Sequence, residues 1–475
     1  MKLTFWGAAR QVTGSMYLLE LVDDYRILID CGSDLDRARD IVGTPYPGGG
    51  LFPFEPSQVN VVLLTHAHID HSGNLPLLVN EGFEGQILCT TPTCQLTELL
   101  LADSASLNQK KLHGAKGGAK RRSKKKISVV NPREMYLQKQ VNEAMEAFVS
   151  VAFNNKFKIR PGLEVTFIPS GHLLGAASIL VEVVENGVKK TICFSGDLGR
   201  KNYPLLVDPQ RIPQVDYLIC ESTYGARLHV NQESPEDALA DVIRRTCVEI
   251  PGRLIIPSFS VGRTQALLFT LNKLYSEHDF PHIKVFSDSP LGFASTKVYA
   301  KNIRSLNKEA QAFYEENKEL FDFDNFNYLS DMKASKAIAN FHEPCIIISS
   351  SGMVQGGRVE HHVETNIGNP YATILMIGFA AEGTLGHRLL NGQKYLEIKG
   401  KDHEVRANIE RIDVFSGHGD YDDLMEFVQY QSPTDLKKLF LVHGEYETML
   451  RFQSSLGTKG YSQVEIPKKG QTYEL

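Results

Sequence analysis

Short apolar runs rich in β-branched residues punctuate the chain up to residue 221, and most are broken by a glycine, a carboxylate or a histidine. Lys2–Gly7, Met16–Leu21, Tyr25–Cys31, Val59–Leu64, Phe157–Ile168, Thr191–Phe194 and Asp216–Cys220 read as strands on this pattern. Val59–Leu64 runs into a tight turn, and a helix is predicted from Asn74-Leu75-Pro76 onward. From about residue 233 the texture changes. Apolar runs now alternate with helical stretches, as in a doubly wound α/β domain. Three of these runs, Leu254–Pro257, Cys345–Ile348 and Thr373–Ile377, lead into Ser/Gly turns. Past about 395 the chain regains its first character and carries a last clear apolar strand at Lys438–Val442.

The 475 residues exceed what one simple core holds, so two or three domains are expected. A formal charge of −5 excludes a globally basic nucleic-acid binder, and any polyanion site must be a local patch. Lys110–Lys126 is such a patch, with nine Lys/Arg interleaved with glycines. It reads as a solvated loop, or as an arm that grips the phosphates of a nucleic acid; without aromatics it would not stack bases. The seven cysteines are scattered and form no Cys-x-x-Cys pair, which suits a reducing compartment. There is no signal-type segment and no apolar run near ~18 residues. A soluble cytoplasmic protein with no membrane partner is expected.

The densest chemistry lies at Thr65-His66-Ala67-His68-Ile69-Asp70-His71. Alternate residues of extended backbone share a face, so His66 and His68 can reach one metal, while Asp70 and His71 aim at a neighbouring point. Imidazole nitrogen with carboxylate oxygen is a donor set for Zn²⁺ or a similar ion. His172, Asp197, Glu221 and His443 each stand just after an apolar strand, and His418 ends a further β-like segment. A carboxylate placed like Asp197 can offer both oxygens and so bridge two cations. Asp30 closes the Tyr25–Ile29 run and is given a supporting role near the metals. In the second region Ser260, Gly262 and Arg263, then Ser351 and Gly352, then Gly383 and Thr384 form turns suited to phosphate. Arg263 and Arg358 could add charge-assisted bonds there. His361 and His362 are expected to pack or face solvent, with contact to a nucleic acid as the alternative, and His113, His229, His278, His282, His342 and His403 to lie at the surface.

Taken in order, these residues resemble the metallo-β-lactamase superfamily, and within it the β-CASP ribonucleases, over essentially the whole chain. The likeness is greatest to the cleavage-and-polyadenylation endonuclease subunit and its prokaryotic relatives. It is carried by Gly14-Ser15, Glu221-Ser222-Thr223-Tyr224-Gly225, Ser351-Gly352-Met353, Glu382-Gly383-Thr384-Leu385, Ser416-Gly417-His418 and Leu441-Val442-His443-Gly444-Glu445. The resemblance implies an α/β fold: an αββα sandwich from residues 1–208 and 396–475, with an α/β β-CASP domain inserted at 209–395. That insert would cap the metal site, and RNA would enter between the two.

The same resemblance implies roles. His66, His68 and His172 would hold one Zn²⁺, Asp70, His71 and His443 a second, and Asp197 would bridge them, with Mn²⁺ as the alternative ion. Asp30 would orient ligands and the attacking water. His418 would protonate the leaving oxygen, with Glu221 orienting its ring. The substrate would be RNA, single-stranded, cut internally in preference to trimming from the 5′ end, and a homodimer would match common practice among relatives. Three rivals make different predictions. A small-molecule metallo-hydrolase needs no inserted domain, a DNA nuclease of this group usually lacks the histidine at 443, and an inert RNA-binding scaffold would have lost ligands.

Overall fold

A computed structural model of the chain describes residues 1–34, 50–117, 135–229, 233–277, 282–378 and 380–475. Residues 118–126 of the basic stretch, and His278, lie outside that set. Two compact units emerge. One comprises Met1–Lys201, Asp208–Leu228 and His418–Leu475, and the other Asn202–Val207 and His229–Gly417.

The first unit holds two seven-stranded sheets. One contains β1 (Lys2–Phe5), β2 (Tyr17–Glu20), β3 (Arg26–Ile29), β4 (Val61–Leu63), β5 (Gln86–Thr90) and β6 (Phe148–Val151), in that order, with the last strand of the chain, β22 (Gln471–Glu474), beside β1. The other runs β7 (Phe157–Arg160), β8 (Leu163–Pro169), β9 (Ala177–Glu185), β10 (Val188–Phe194), β11 (Tyr217–Glu221), then β20 (Lys438–Val442) and β21 (Val464–Glu465).

Side-chain alternation explains why the central strands are almost entirely apolar. Ile27, Ile29, Val61 and Leu63 meet Ile192, Phe194, Ile219, Phe440 and Val442 in the core between the sheets. Their neighbours Leu28 and Val62 turn outward, onto Leu75 and Leu78 of the helix Leu75–Asn80, Leu101 of Thr91–Gly117 and Val141 of Gln138–Glu146. On the opposite side Cys193, Leu218, Leu439 and Leu441 pack on Leu424 and Val428 of Tyr421–Gln429 and on Phe452 of Tyr446–Thr458. Both faces of each sheet are therefore buried at its central strands, and the layer order is αββα.

The second unit is built on a six-stranded parallel sheet. Its order is β14 (Phe326–Tyr328), β13 (Lys284–Asp288), β15 (Cys345–Ser349), β12 (Arg253–Pro257), β16 (Ala372–Met376), β19 (Asn408–Arg411). A hairpin, β17 (Tyr395–Ile398) with β18 (Lys401–Glu404), completes it. The boundaries expected at 208/209 and 395/396 therefore move. β11 bonds between β10 and β20 and so belongs to the sandwich, while the hairpin and β19 stay with the second unit. An apolar run does not reveal which sheet it completes, and the sequence reading split the chain at the wrong runs.

One buried network fixes the second unit. Asp288, at the end of β13, accepts hydrogen bonds from Arg358 Nη1 (2.6 Å), Ser335 Oγ (2.6 Å) and His362 Nε2 (2.7 Å). Arg358, read as a phosphate ligand in the sequence, is thus engaged by a carboxylate. Burial would raise the Asp288 carboxyl, but His362, Ser335 and Arg358 together hold it below its ordinary value. A carboxyl with a depressed folded pKa stabilises the fold above its unfolded value of ~3.9 and loses that contribution as pH falls through the folded one. Asp288→Ala should therefore destabilise this unit by about 3–5 kcal/mol near neutral pH, leaving an unpaired guanidinium. Denaturant melts should show the gap from the parent narrowing as the pH drops below about 4. A gap independent of pH would contradict the assignment.

Among the described residues, no helix is long and apolar enough to cross a membrane.

Candidate metal centre

Functional side chains converge from the carboxyl ends of five strands, the usual place for a ligand in an open α/β sheet. Asp30 follows β3, the His66–His71 turn follows β4, Asp197 follows β10, Glu221 ends β11 and His443 follows β20. β8 runs antiparallel to β9, which runs antiparallel to β10. His172, after β8, therefore emerges on the same side as Asp197. Two of these positions have left-handed backbone, Asp30 at φ 57° and His443 at φ 50°. Non-glycine residues adopt that region seldom, and it clusters at functional sites.

The turn after β4 is tied down by backbone bonds. Ser15 N donates to Asp70 O (2.8 Å), Cys31 N to His71 O (2.7 Å) and Ser33 N to Ile69 O (2.9 Å). Gly32 is needed for this approach: a Cβ there would lie 1.6 Å from Asp70 O. The His172 loop is held by Thr90 Oγ1 and Thr93 Oγ1, which donate to Gly175 O at 2.7 and 2.9 Å.

The structure brings all seven expected ligands into two adjoining groups. In one, His66, His68, His172 and Asp197 each offer a donor atom within 4.8 Å of the others, and in the second Asp70, His71 and His443 do the same. His68 Nδ1 lies 3.1 Å from both His66 Nε2 and His172 Nε2. Asp197 divides its oxygens: Oδ2 is 3.5 Å from His66 Nε2 and from His172 Nε2. Its Oδ1 is 3.2 Å from His71 Nε2 and 3.6 Å from His443 Nε2.

Hydrogen bonds behind the rings set which nitrogen faces inward. His71 Nδ1 donates to Asp30 Oδ2 at 2.7 Å, leaving Nε2 toward Asp197. Thr65 Oγ1 donates to the same Asp30 oxygen (2.8 Å) and lies 3.1 Å from His66 Nδ1, able to accept its proton. Thr223 Oγ1 sits 3.0 Å from His443 Nδ1 and does the same for that ring. Anchoring one ring nitrogen so that the other keeps its lone pair is how metal-ligating histidines are oriented. Asp30→Asn should accordingly lower divalent-metal affinity about 10–100-fold, as read by competition with a chromogenic chelator; unchanged affinity would remove Asp30 from this role.

A divalent cation fits this donor set. Burial pushes His66 down and His68 down to about 4, so their inward nitrogens carry lone pairs, not protons. Burial would also lower His71, but the Asp197 and Asp30 carboxylates raise it; His443 is raised mainly by Asp197 against the same burial. Asp70 and Asp197 are held low by surrounding histidines although burial alone would raise both. Asp197 Oδ1 and His443 Nε2 are buried with no well-formed hydrogen bond. A tetrahedral zinc with Zn–N of about 2.0–2.1 Å sets its nitrogens roughly 3.3 Å apart, close to the spacing of the first group. Lone pairs so disposed repel one another unless a cation lies between them.

A further ring stands at the rim. His418 packs 4.4 Å from His172 and 5.9 Å from His443, centroid to centroid, and keeps 16 % of its side chain exposed. Its Nδ1 bonds Glu221 Oε1 at 3.1 Å. Glu221 in turn accepts from Leu198 N (2.6 Å) and Thr223 N (3.2 Å). His418 belongs to neither ligand group.

Comparison with known proteins agrees with this geometry. Residues 9–230 match the metallo-beta-lactamase superfamily, 264–389 the Beta-Casp domain, and 402–467 the Zn-dependent metallo-hydrolase RNA specificity domain. The chain belongs to the metallo-β-lactamase superfamily, in its β-CASP branch. This β-CASP metallo-hydrolase is 29 % identical over 472 residues to ribonuclease TTHA0252 of Thermus thermophilus, covering 99 % of both chains. It is 29 % identical to transcription termination factor FttA of Methanosarcina mazei, over 99 % of this chain and 70 % of that one. An RNase J-like protein of Methanocaldococcus jannaschii is 28 % identical over 98 % of each.

The Ser/Gly turns of the β-CASP unit are less uniform than their sequences suggest. Ser351 Oγ donates to Gln355 O (2.9 Å) and accepts from Gln355 N, closing its own turn. Thr384 Oγ1 donates to Ala381 O (2.6 Å) and caps the short helix Leu385–Leu390 through His387 N. Gly262 N is taken by Gln265 Oε1 (2.7 Å), and Arg263 lies over the Phe259 ring at 4.9 Å and against Gly378. Gly352 leaves room for Phe259, and Gly383 supplies a turn at φ 84°. Ser260 differs: its hydroxyl contacts Ser350 Oγ at 2.7 Å and Ser289 Oγ at 3.1 Å, a trio at the ends of β12, β13 and β15. Thr65 and Thr223, which orient ligand rings, were not singled out from the sequence. Their only signal is position, one directly before His66 and the other two residues past Glu221.

Proposed function

We propose that this chain is a dinuclear-zinc ribonuclease that hydrolyses RNA phosphodiester bonds, cutting single-stranded RNA internally. The observation that carries the reading is His418, a partly exposed imidazole backed by Glu221 and set beside two groups of metal-type donors. His66, His68 and His172 would hold one ion, Asp70, His71 and His443 the other, with one Asp197 oxygen for each. When bound, the two ions supply Lewis acidity, which lowers the pKa of an attacking water to around 7 and offsets charge on the phosphoryl oxygens.

The chain's own residues do the rest. Asp30 and Thr65 keep the His66 and His71 rings fixed, and Thr223 does so for His443. Asp70 and Asp197 bring two negative charges to the centre, fewer than two divalent ions carry, so an anionic phosphodiester is attracted. Glu221 holds Nδ1 of His418, which leaves Nε2 as the atom that delivers a proton to the departing ribose oxygen and stabilises the cationic ring before transfer. RNA as substrate is supported by the matched RNA specificity domain and by the names of the ribonuclease and RNase J-like relatives.

Incubation of the zinc-loaded protein with 5′- and 3′-labelled single-stranded RNA tests this. Internal fragments carrying 5′-phosphates are expected, absent in Asp70→Ala, with DNA of the same sequence left whole. Release of mononucleotides from the 5′ end would replace internal cutting by trimming. No cleavage with both ions bound would contradict the reading.

A further inference from the structure

Phe293 stands out in the second unit because it is a large apolar ring left 38 % exposed on the helix Pro290–Lys301. Tyr328 packs against it at 4.3 Å, with the ring planes at 59°. Lys297 places its ammonium 4.1 Å from the Phe293 centroid, and among the described residues no carboxylate pairs with it. Ser289 caps the helix through Gly292 N and belongs to the hydroxyl trio with Ser260 and Ser350. Positions i, i+4 and i+8 of a helix lie above one another. Phe293 and Lys297 therefore form one exposed stripe of aromatic ring and cation, about 6 Å apart along the helix, above the buried Ser289.

We propose that this stripe is a stacking platform for one nucleobase of a single-stranded RNA. The inference rests on the RNA reading above and adds a binding residue that the metal centre does not need. An exposed aromatic ring takes any base by its π-face. A cation one turn further along suits a phosphate that flanks that base. In the free chain the flexible Lys297 covers part of the ring through a cation–π contact. When a base occupies the ring, the ammonium moves to the neighbouring phosphate. The local charge favours a nucleic-acid strand over a protein partner: in a chain that carries −5 as a whole, this stripe presents a cation that, among the described residues, no carboxylate pairs with, beside an exposed aromatic ring.

The test uses the full chain carrying Asp70→Ala, so that bound RNA stays intact, and reads anisotropy of a fluorescein-labelled single-stranded RNA. A set of oligonucleotides, each with one abasic position, is bound in parallel. Adding Phe293→Ala should weaken binding roughly tenfold, whereas Phe293→Trp should keep affinity, because stacking is a large term per base. One abasic position should cost the parent a similar factor and cost the Phe293→Ala form nothing. Lys297→Ala should reduce the steepness of the salt dependence. Equal abasic profiles in parent and Phe293→Ala, with RNA bound tightly by both, would overturn the platform alone. Loss of a dimer in Phe293→Ala with RNA affinity unchanged would give this face to a second copy and overturn it too. No RNA binding by the parent would overturn the platform together with the RNA reading.

Discussion

Asp197→Asn is expected to leave at most one ion bound per chain and to lower RNA cleavage on the order of 10⁴-fold, a loss typical of removing an indispensable catalytic group. The argument is geometric. Asp197 Oδ2 faces His66 and His172 at 3.5 Å, and Oδ1 faces His71 at 3.2 Å and His443 at 3.6 Å. An asparagine keeps one acceptor oxygen and turns a non-ligating NH₂ toward the other group. Whichever way the amide lies, one site loses an anionic donor and the remaining imidazoles there face an N–H. The residue is 2 % exposed, so water cannot take the missing oxygen's place without rearrangement. Elemental analysis after dialysis reads the outcome directly. Two tightly held ions in Asp197→Asn would contradict the division of its oxygens.

The second large effect separates binding from proton transfer. His418→Ala should retain both ions and cleave RNA about 10²–10⁴-fold more slowly, the usual contribution of a positioned acid. Its ring contacts His172 and His443 without joining their donor atoms, and its anchor is Glu221 rather than a ligand. A substrate whose leaving group departs without a proton, such as a p-nitrophenyl phosphodiester, should lose little in this variant, because the step His418 assists has been made unnecessary. Glu221→Gln should fall between the parent and His418→Ala, since a neutral amide holds the ring but stabilises its cation less. Loss of metal from His418→Ala, or an equal loss on both substrates, would remove the acid role.

Much of this site was legible because its residues announce themselves. Histidine is scarce, and His66, His68, Asp70 and His71 crowd a single turn after an apolar strand, a density that a packing role does not explain. His172, Asp197 and His443 are weaker one at a time. Their shared position just past a strand made sense together, since parallel strands deliver such residues to one edge. What the sequence withheld depends on tertiary placement. Thr65 and Thr223 act through hydroxyls pointed at ring nitrogens, and nothing in a lone threonine signals that. The left-handed backbone at Asp30 and His443 is likewise invisible in a residue that is not glycine.

The same limit explains the errors in the second unit. β11 and β19 are short runs without a marker of sheet membership, so the boundaries set by texture fell at 209 and 396, not near 229 and 417. Ser351 and Thr384 have the composition of anion-binding turns, yet their hydroxyls satisfy their own backbone. Serine and threonine compete for local partners before they reach a ligand. Arg358 followed a similar course, because a buried Asp288 at a strand end was not visible as its partner. Phe293 gave no sequence signal, since an isolated aromatic on a helix normally packs inward.

The most direct test of two cooperating ions is a zinc titration of metal-free protein, with cleavage of labelled single-stranded RNA followed at each step. The account predicts little activity at one equivalent and a rise that completes as the second equivalent binds. Full activity at one equivalent, or none at two, would contradict it.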